Sequence, residues 1–137
     1  MNLVAAHSLL LAYLGKVHLL VGRVDDARQH AEQAVGLARA HKESGYEAWA
    51  LRLHADIALG SGCPDAARAA DYARKALMKA EELGLRPLMA HCHRALGRAL
   101  AQGTDPAAAE RHVAAANQLF SVMDMRAWLG QALERLA

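Results

Sequence analysis

Apolar and small residues return along this chain at two fixed spacings. Leu11, Leu14, Gly15 and His18 stand three, one and three positions apart, and so do Leu51, His54, Ala55 and Ala58, and again His93, Leu96, Gly97 and Leu100. Between these sets come Ala27, Ala31 and Ala34, then Ala69, Ala73 and Ala76, then Ala109, Val113 and Ala116, each spaced four and three. On a helix of about 3.6 residues per turn, either spacing gathers its members on one side. The chain therefore predicts three pairs of helices, a bulkier stripe on the first of each pair and a small-residue stripe on the second. Small stripes let helix axes approach toward the short end of the usual ~8–10 Å. Gly15, Ala55 and Gly97 are 40 and 42 positions apart, and Ala34, Ala76 and Ala116 are 42 and 40 apart. Two helices recurring at such a period define a repeat array in which each unit buries its neighbour.

The breaks between stripes agree. Asp25 and Asp26 after Gly22 place negative charge where a helix begins, against its free N–H groups. Ser44-Gly45 reads as a helix stop, with the next helix at about 46–59. The turn from Gly60 to Pro64 is about two residues longer than its counterparts, and Pro64 is preset for a first helical turn. Leu83-Gly84 ends the fourth helix and Pro87 opens the fifth; Gly103 ends the fifth, and Asp105-Pro106 starts the sixth. From Asp124 a seventh, unpaired helix is expected, with Trp128, Leu129, Leu133 and Leu136 on its apolar side. The units are then about 2–43, 44–84 and 85–122, with a capping helix at 124–137, in one domain of 137 residues.

Composition strengthens the helical reading. The chain is alanine-rich and only 4% aromatic, so helix propensity is high and strand propensity poor. A formal charge of +2, with Lys and Arg mixed among Asp and Glu, argues against a nucleic-acid surface. Two cysteines, Cys63 and Cys92, in different repeats give neither a disulfide framework nor a zinc spacing, which points to a reducing, cytoplasmic setting. The apolar N-terminal stretch lacks a preceding basic segment and is interrupted by His7, Lys16 and His18. It reads as a buried first helix, and no membrane partner is expected.

The stripes resemble the tetratricopeptide (TPR) repeat: an aromatic residue or Leu, then Leu-Gly, then Tyr on one helix, with Ala, an aromatic and Ala on the next. The resemblance covers nearly the whole chain. It departs at His18, Ala58 and Leu100, where Tyr is usual, and at Ala31, Ala73 and Val113, where a large aromatic is usual. The stretches YEAWALRLHADIA, AEELGLRPLMAHCH and MDMRAWL are further similar to the C-terminal repeat region of large bacterial signalling ATPases, some of which carry an adenylate cyclase domain. The resemblance implies an all-α, right-handed superhelical array of three TPR-like helix pairs plus a capping helix. It also implies binding on a concave face lined by the first helix of each pair.

Chemistry is sparse. His91, Cys92 and His93 are neighbours on a helix and point in different directions, so no metal site is expected. Asp65, Asp71, Glu81 and Glu82 read as solvated charges, with no nucleophile implied beside them. Gly15-Lys16 is followed by Val17 inside a helix, so it is no phosphate-binding loop, and no cofactor or catalysis is expected. Helical phase places Tyr13 and Lys16, then Trp49, Arg52 and Asp56, then His91, Arg94 and Arg98 on the concave face. Four cations and one acid there suit an acidic or amphipathic protein segment. The alternative is self-assembly into dimers, rings or filaments through the repeat ends, by Leu3, Leu10, Val17 and Val21 at one end and Trp128 and Leu129 at the other. A homo-oligomer is accordingly expected.

Overall fold

Six helices follow one another in the computed structural model, which describes residues 3–60, 64–103 and 105–123, with side chains from Leu10 onward. They are α1 (Leu3–Leu20), α2 (Val24–Ala40), α3 (Ser44–Gly60), α4 (Ala66–Leu83), α5 (Arg86–Gln102) and α6 (Pro106–Val122), with no strand among the described residues. The expected seventh helix, with Trp128 and Leu129, lies outside the described residues.

Three helix ends share one device. At Gly22 and Gly84 the backbone turns left-handed, with φ of 81° and 65°. The following N–H reaches back to close the helix, Arg23 to the carbonyl of His18 at 2.8 Å and Leu85 to that of Ala80 at 2.9 Å. The end of α2 repeats the motif with a lysine in the glycine place. Lys42 has φ 56°, and Glu43 N–H donates to the Ala38 carbonyl at 2.8 Å. This corrects the expected stop at Ser44-Gly45: both residues are already inside α3, because Lys42 has made the turn. Helix starts are also specific. Asp65 accepts from Arg68 N–H at 3.0 Å and Asp105 from Ala108 N–H at 3.0 Å. Asp65 is thus a cap rather than a solvated charge on a helix face, and Pro64 precedes the helix instead of entering its first turn.

Small residues set the closest approaches. A Cβ added to Gly15 would meet Leu53 Cδ2 at 2.7 Å and the Ala27 carbonyl oxygen at 3.3 Å. One added to Gly97 would meet Val113 Cγ2 at 2.8 Å and the Ala109 carbonyl oxygen at 3.3 Å. These are equivalent contacts in the first and third helix pairs. Ala27, Ala31, Ala34, Ala69, Ala73, Ala76, Ala109 and Ala116 are buried as the stripes require. His18, Ala58, His93 and Leu100 are half-buried, and two stripe members are exposed: Leu14 and Val113 stand on the rim of their helices' buried arcs, at 38% and 42%. The glycine beside or facing each one makes the close contact instead.

Each helix packs on the next in the chain, and the odd helices also meet one another, α1 with α3 and α3 with α5. The backbones of α2, α4 and α6 do not meet. The odd helices therefore form one layer and the even helices another, with the largest cluster of the core between them around Leu51, Leu77, Leu88 and Leu96. One carboxylate ties the layers across a unit boundary. Glu47 of α3 is buried and accepts from Arg39 Nε of α2 at 2.7 Å, while Lys79 Nζ of α4 lies 3.3 Å away. Burial raises the Glu47 carboxyl, but the Arg39 and Lys79 charges and hydrogen bonds prevail and hold it below the usual range.

Candidate functional site

The layer of odd helices brings together most of the residues that helical phase assigns to a binding face. Asp56 of α3 lies between Lys16 of α1, 3.4 Å away, and Arg52 one turn back on its own helix, 3.3 Å away. The Asp56 side chain is only 10% exposed and that of Arg52 only 13%, so this pair is largely desolvated. Burial pushes the Asp56 carboxyl upward, yet Arg52, then Lys16, and more distantly Arg98 overcome it and keep the group ionised below the ordinary carboxylate range. Arg52 also lies over the Trp49 ring, 5.5 Å from its centroid.

Trp49 leads onward to α5 and α6. Its ring is 6.1 Å from that of His91, which meets the Phe120 edge at 5.3 Å. His91 is only 6% exposed, so it is a core ring under the face rather than a side chain on it. Its imidazole is pushed down to about 3, first by burial and then by the charges of Arg52 and Arg94, so it stays neutral at physiological pH. Arg98 is exposed on the same helix and Arg94 half-buried. Tyr13 is 64% exposed, on the arc of α1 away from the buried Leu11 and Gly15. The result is a positive surface in which Lys16 and Arg52 are engaged by Asp56, and the outermost cation is Arg98.

The neighbours His91, Cys92 and His93 diverge. His91 meets Trp49 and Phe120, and Cys92 is fully buried, its thiol pushed up to about 12 by burial. His93 meets His112 of α6, Nδ1 to Nδ1 at 3.0 Å. No group of three metal-ligating side chains occurs among the described residues.

Sequence reasoning missed a set of ring pairs, one in each helix pair. His18 stacks on His30 at 5.0 Å, His54 on Tyr72 at 4.6 Å and His93 on His112 at 5.2 Å between centroids. The signal was available, for His30, Tyr72 and His112 each stand four positions before Ala34, Ala76 and Ala116. Behind the middle pair a cavity of about 170 Å³ opens among α2, α3 and α4, bounded by Arg28, His54, Arg68 and Tyr72. Its carboxylate, Asp65, is committed to capping α4, and burial holds His54 below its ordinary value.

No family model matches the chain, and neither the curated proteins nor the solved structures contain a match. Among the described residues no helix is long and apolar enough to cross a membrane.

Proposed function

We propose that this protein is a non-catalytic interaction scaffold of tetratricopeptide type, acting in the cytoplasm and holding an acidic peptide or protein segment against the layer of α1, α3 and α5. In this reading the three helix pairs wind into a right-handed superhelix whose concave side is that layer. The contacts among odd helices without backbone contacts among even ones support such a curvature, since one edge of the array is drawn together and the other is not.

The observation that carries the reading is the charge inventory of the inner layer. Lys16, Arg52 and Arg98 all act on one carboxylate, Asp56, and the intervening imidazole of His91 is held neutral. A face with excess positive charge attracts acidic segments and loses them as salt screens it. Trp49, beneath Arg52, supplies an aromatic surface for an apolar side chain of the same segment.

The test is titration with labelled peptides of matched length, one glutamate-rich, one lysine-rich and one neutral, in a Trp128→Phe background so that Trp49 reports alone. The acidic peptide is expected to bind with an affinity that falls as salt rises. Arg98→Glu with Arg94→Gln is expected to weaken it at least tenfold at unchanged helical content. Equal binding of all three peptides, or an indifferent double variant, would refute the assignment.

A further inference from the structure

α1 carries two apolar faces, and the fold uses only one. Leu11 and Gly15 are buried against α2 and α3, with Ala12 and Leu19 packed beside them. Around the opposite arc, Leu10, Tyr13, Leu14, Val17, Leu20 and Val21 are between 38% and 69% exposed. Their spacing of three and four residues gathers them into one continuous stripe. α1 contains no Asp or Glu, and its single Lys, Lys16, stands at the margin and is turned to Asp56. Among the described residues α1 touches only α2 and α3, and none of them covers the stripe.

We propose that this stripe is a homodimer interface in which α1 packs antiparallel on α1 of a second copy, about a two-fold axis passing between Gly15 and Lys16. In that sense the numbering of the stripe pairs its long side chains with its short ones. Leu10 falls opposite Val21 of the second copy and Leu14 opposite its Val17, and the symmetry repeats both contacts. Each of these four contacts sets one Leu against one Val, and Tyr13 and Leu20 flank the seam. A parallel arrangement sets each residue on its own copy, Leu on Leu at positions 10, 14 and 20 and Val on Val at positions 17 and 21, and it aligns the two helix dipoles unfavourably. Six side chains exposed to this degree present roughly 600 Å² per copy, so their full cover would remove roughly 1,200 Å² in all, the lower bound of a stable protein interface. A stripe of that size is also at the upper end of what a monomer leaves open to water. No like charges oppose the approach, since the stripe bears none.

Light scattering over a hundredfold concentration range is expected to show the mass rising from 14.7 kDa to twice that value and stopping there. Leu14→Glu with Val17→Glu should hold the mass at 14.7 kDa with unchanged circular dichroism. A second measurement fixes the register without polar substitutions. In a Cys63→Ser background, where the remaining Cys92 is buried, Leu10→Cys with Val21→Cys is expected to oxidise to a covalent dimer, whereas Leu10→Cys alone is not. A mass that stays at 14.7 kDa throughout overturns the proposal, as does growth beyond two copies. A covalent dimer formed by Leu10→Cys alone overturns the antiparallel arrangement.

Discussion

His93 and His112 bring their Nδ1 atoms to 3.0 Å across the α5–α6 contact, a distance that requires one ring to donate and the other to accept. Two protonated rings cannot hold it. Burial, then the proximity of His112, lowers His93, with Glu81 opposing; burial, then Arg111 and Arg74, lowers His112. Both therefore titrate below their ordinary 6.5 in the fold and near 6.5 once unfolded. The stability they contribute is complete above 6.5 and is lost as pH falls through that value toward the folded pKa. His54 and His91 act in the same direction. The thermal midpoint should fall between pH 7 and pH 5, and His93→Leu with His112→Leu should shallow that dependence, leaving the share of His54 and His91. A parent midpoint independent of pH in this range would contradict the linkage.

Gly97→Ala should destabilise the chain by about 1–3 kcal/mol, because the new methyl meets Val113 Cγ2 at 2.8 Å. Val113 is partly exposed and can be trimmed. Val113→Ala should recover part of the loss in the double variant, though the Ala109 carbonyl remains 3.3 Å from the added Cβ. Urea unfolding of the four members of the cycle measures the coupling; strict additivity would place the clash elsewhere.

Lys42→Gly should stabilise the protein by about 0.5–1 kcal/mol, since lysine carries a steric penalty at φ 56° that glycine does not. Gly84→Ala, at φ 65°, should move stability the other way. The two chemical-denaturation midpoints are expected on opposite sides of the parent.

Asp56→Asn leaves Arg52, only 13% exposed at its side chain, and Lys16 without their counter-charge. The expected cost is about 3 kcal/mol, the scale of breaking a largely desolvated pair. Arg98→Glu on the exposed side of α5 should change stability by no more than about 0.5 kcal/mol. A melt in which the two variants behave alike would mean that Asp56 is not the keystone of this layer.

Much of the architecture is legible in residue spacing, for a physical reason: Gly15, Gly97 and the alanine stripes stand where backbones approach most closely, and little else fits there. Asp105-Pro106 and Leu83-Gly84 were equally readable, because caps and left-handed turns are local. Lys42 was not, since a lysine in a glycine conformation is permitted by the surrounding hydrogen bonds rather than by its own preference. The binding-face residues share the odd layer, but their roles depend on contacts between helices far apart in the chain. Helical phase put Lys16, Arg52 and Asp56 on one face without revealing that Asp56 would claim both cations. It also set His91 among exposed groups, although Phe120, a residue of α6, covers it. Glu47 escaped notice because Arg39 and Lys79 reach it from separate helices.

The two junctions between helix pairs are fastened by different forces. Where α2 meets the second helix pair, bending must stretch the clasp that Glu47 makes with Arg39 and Lys79. At the next junction Met89 stands in the place corresponding to Glu47, eight positions before Gly97 as Glu47 is before Ala55. A thioether cannot draw cations from the neighbouring helices. The first junction is therefore the one whose hold weakens as salt rises, whereas at the α4–α5 junction Leu85, Leu88 and Met89 join the main core and hold by apolar contact that salt does not screen.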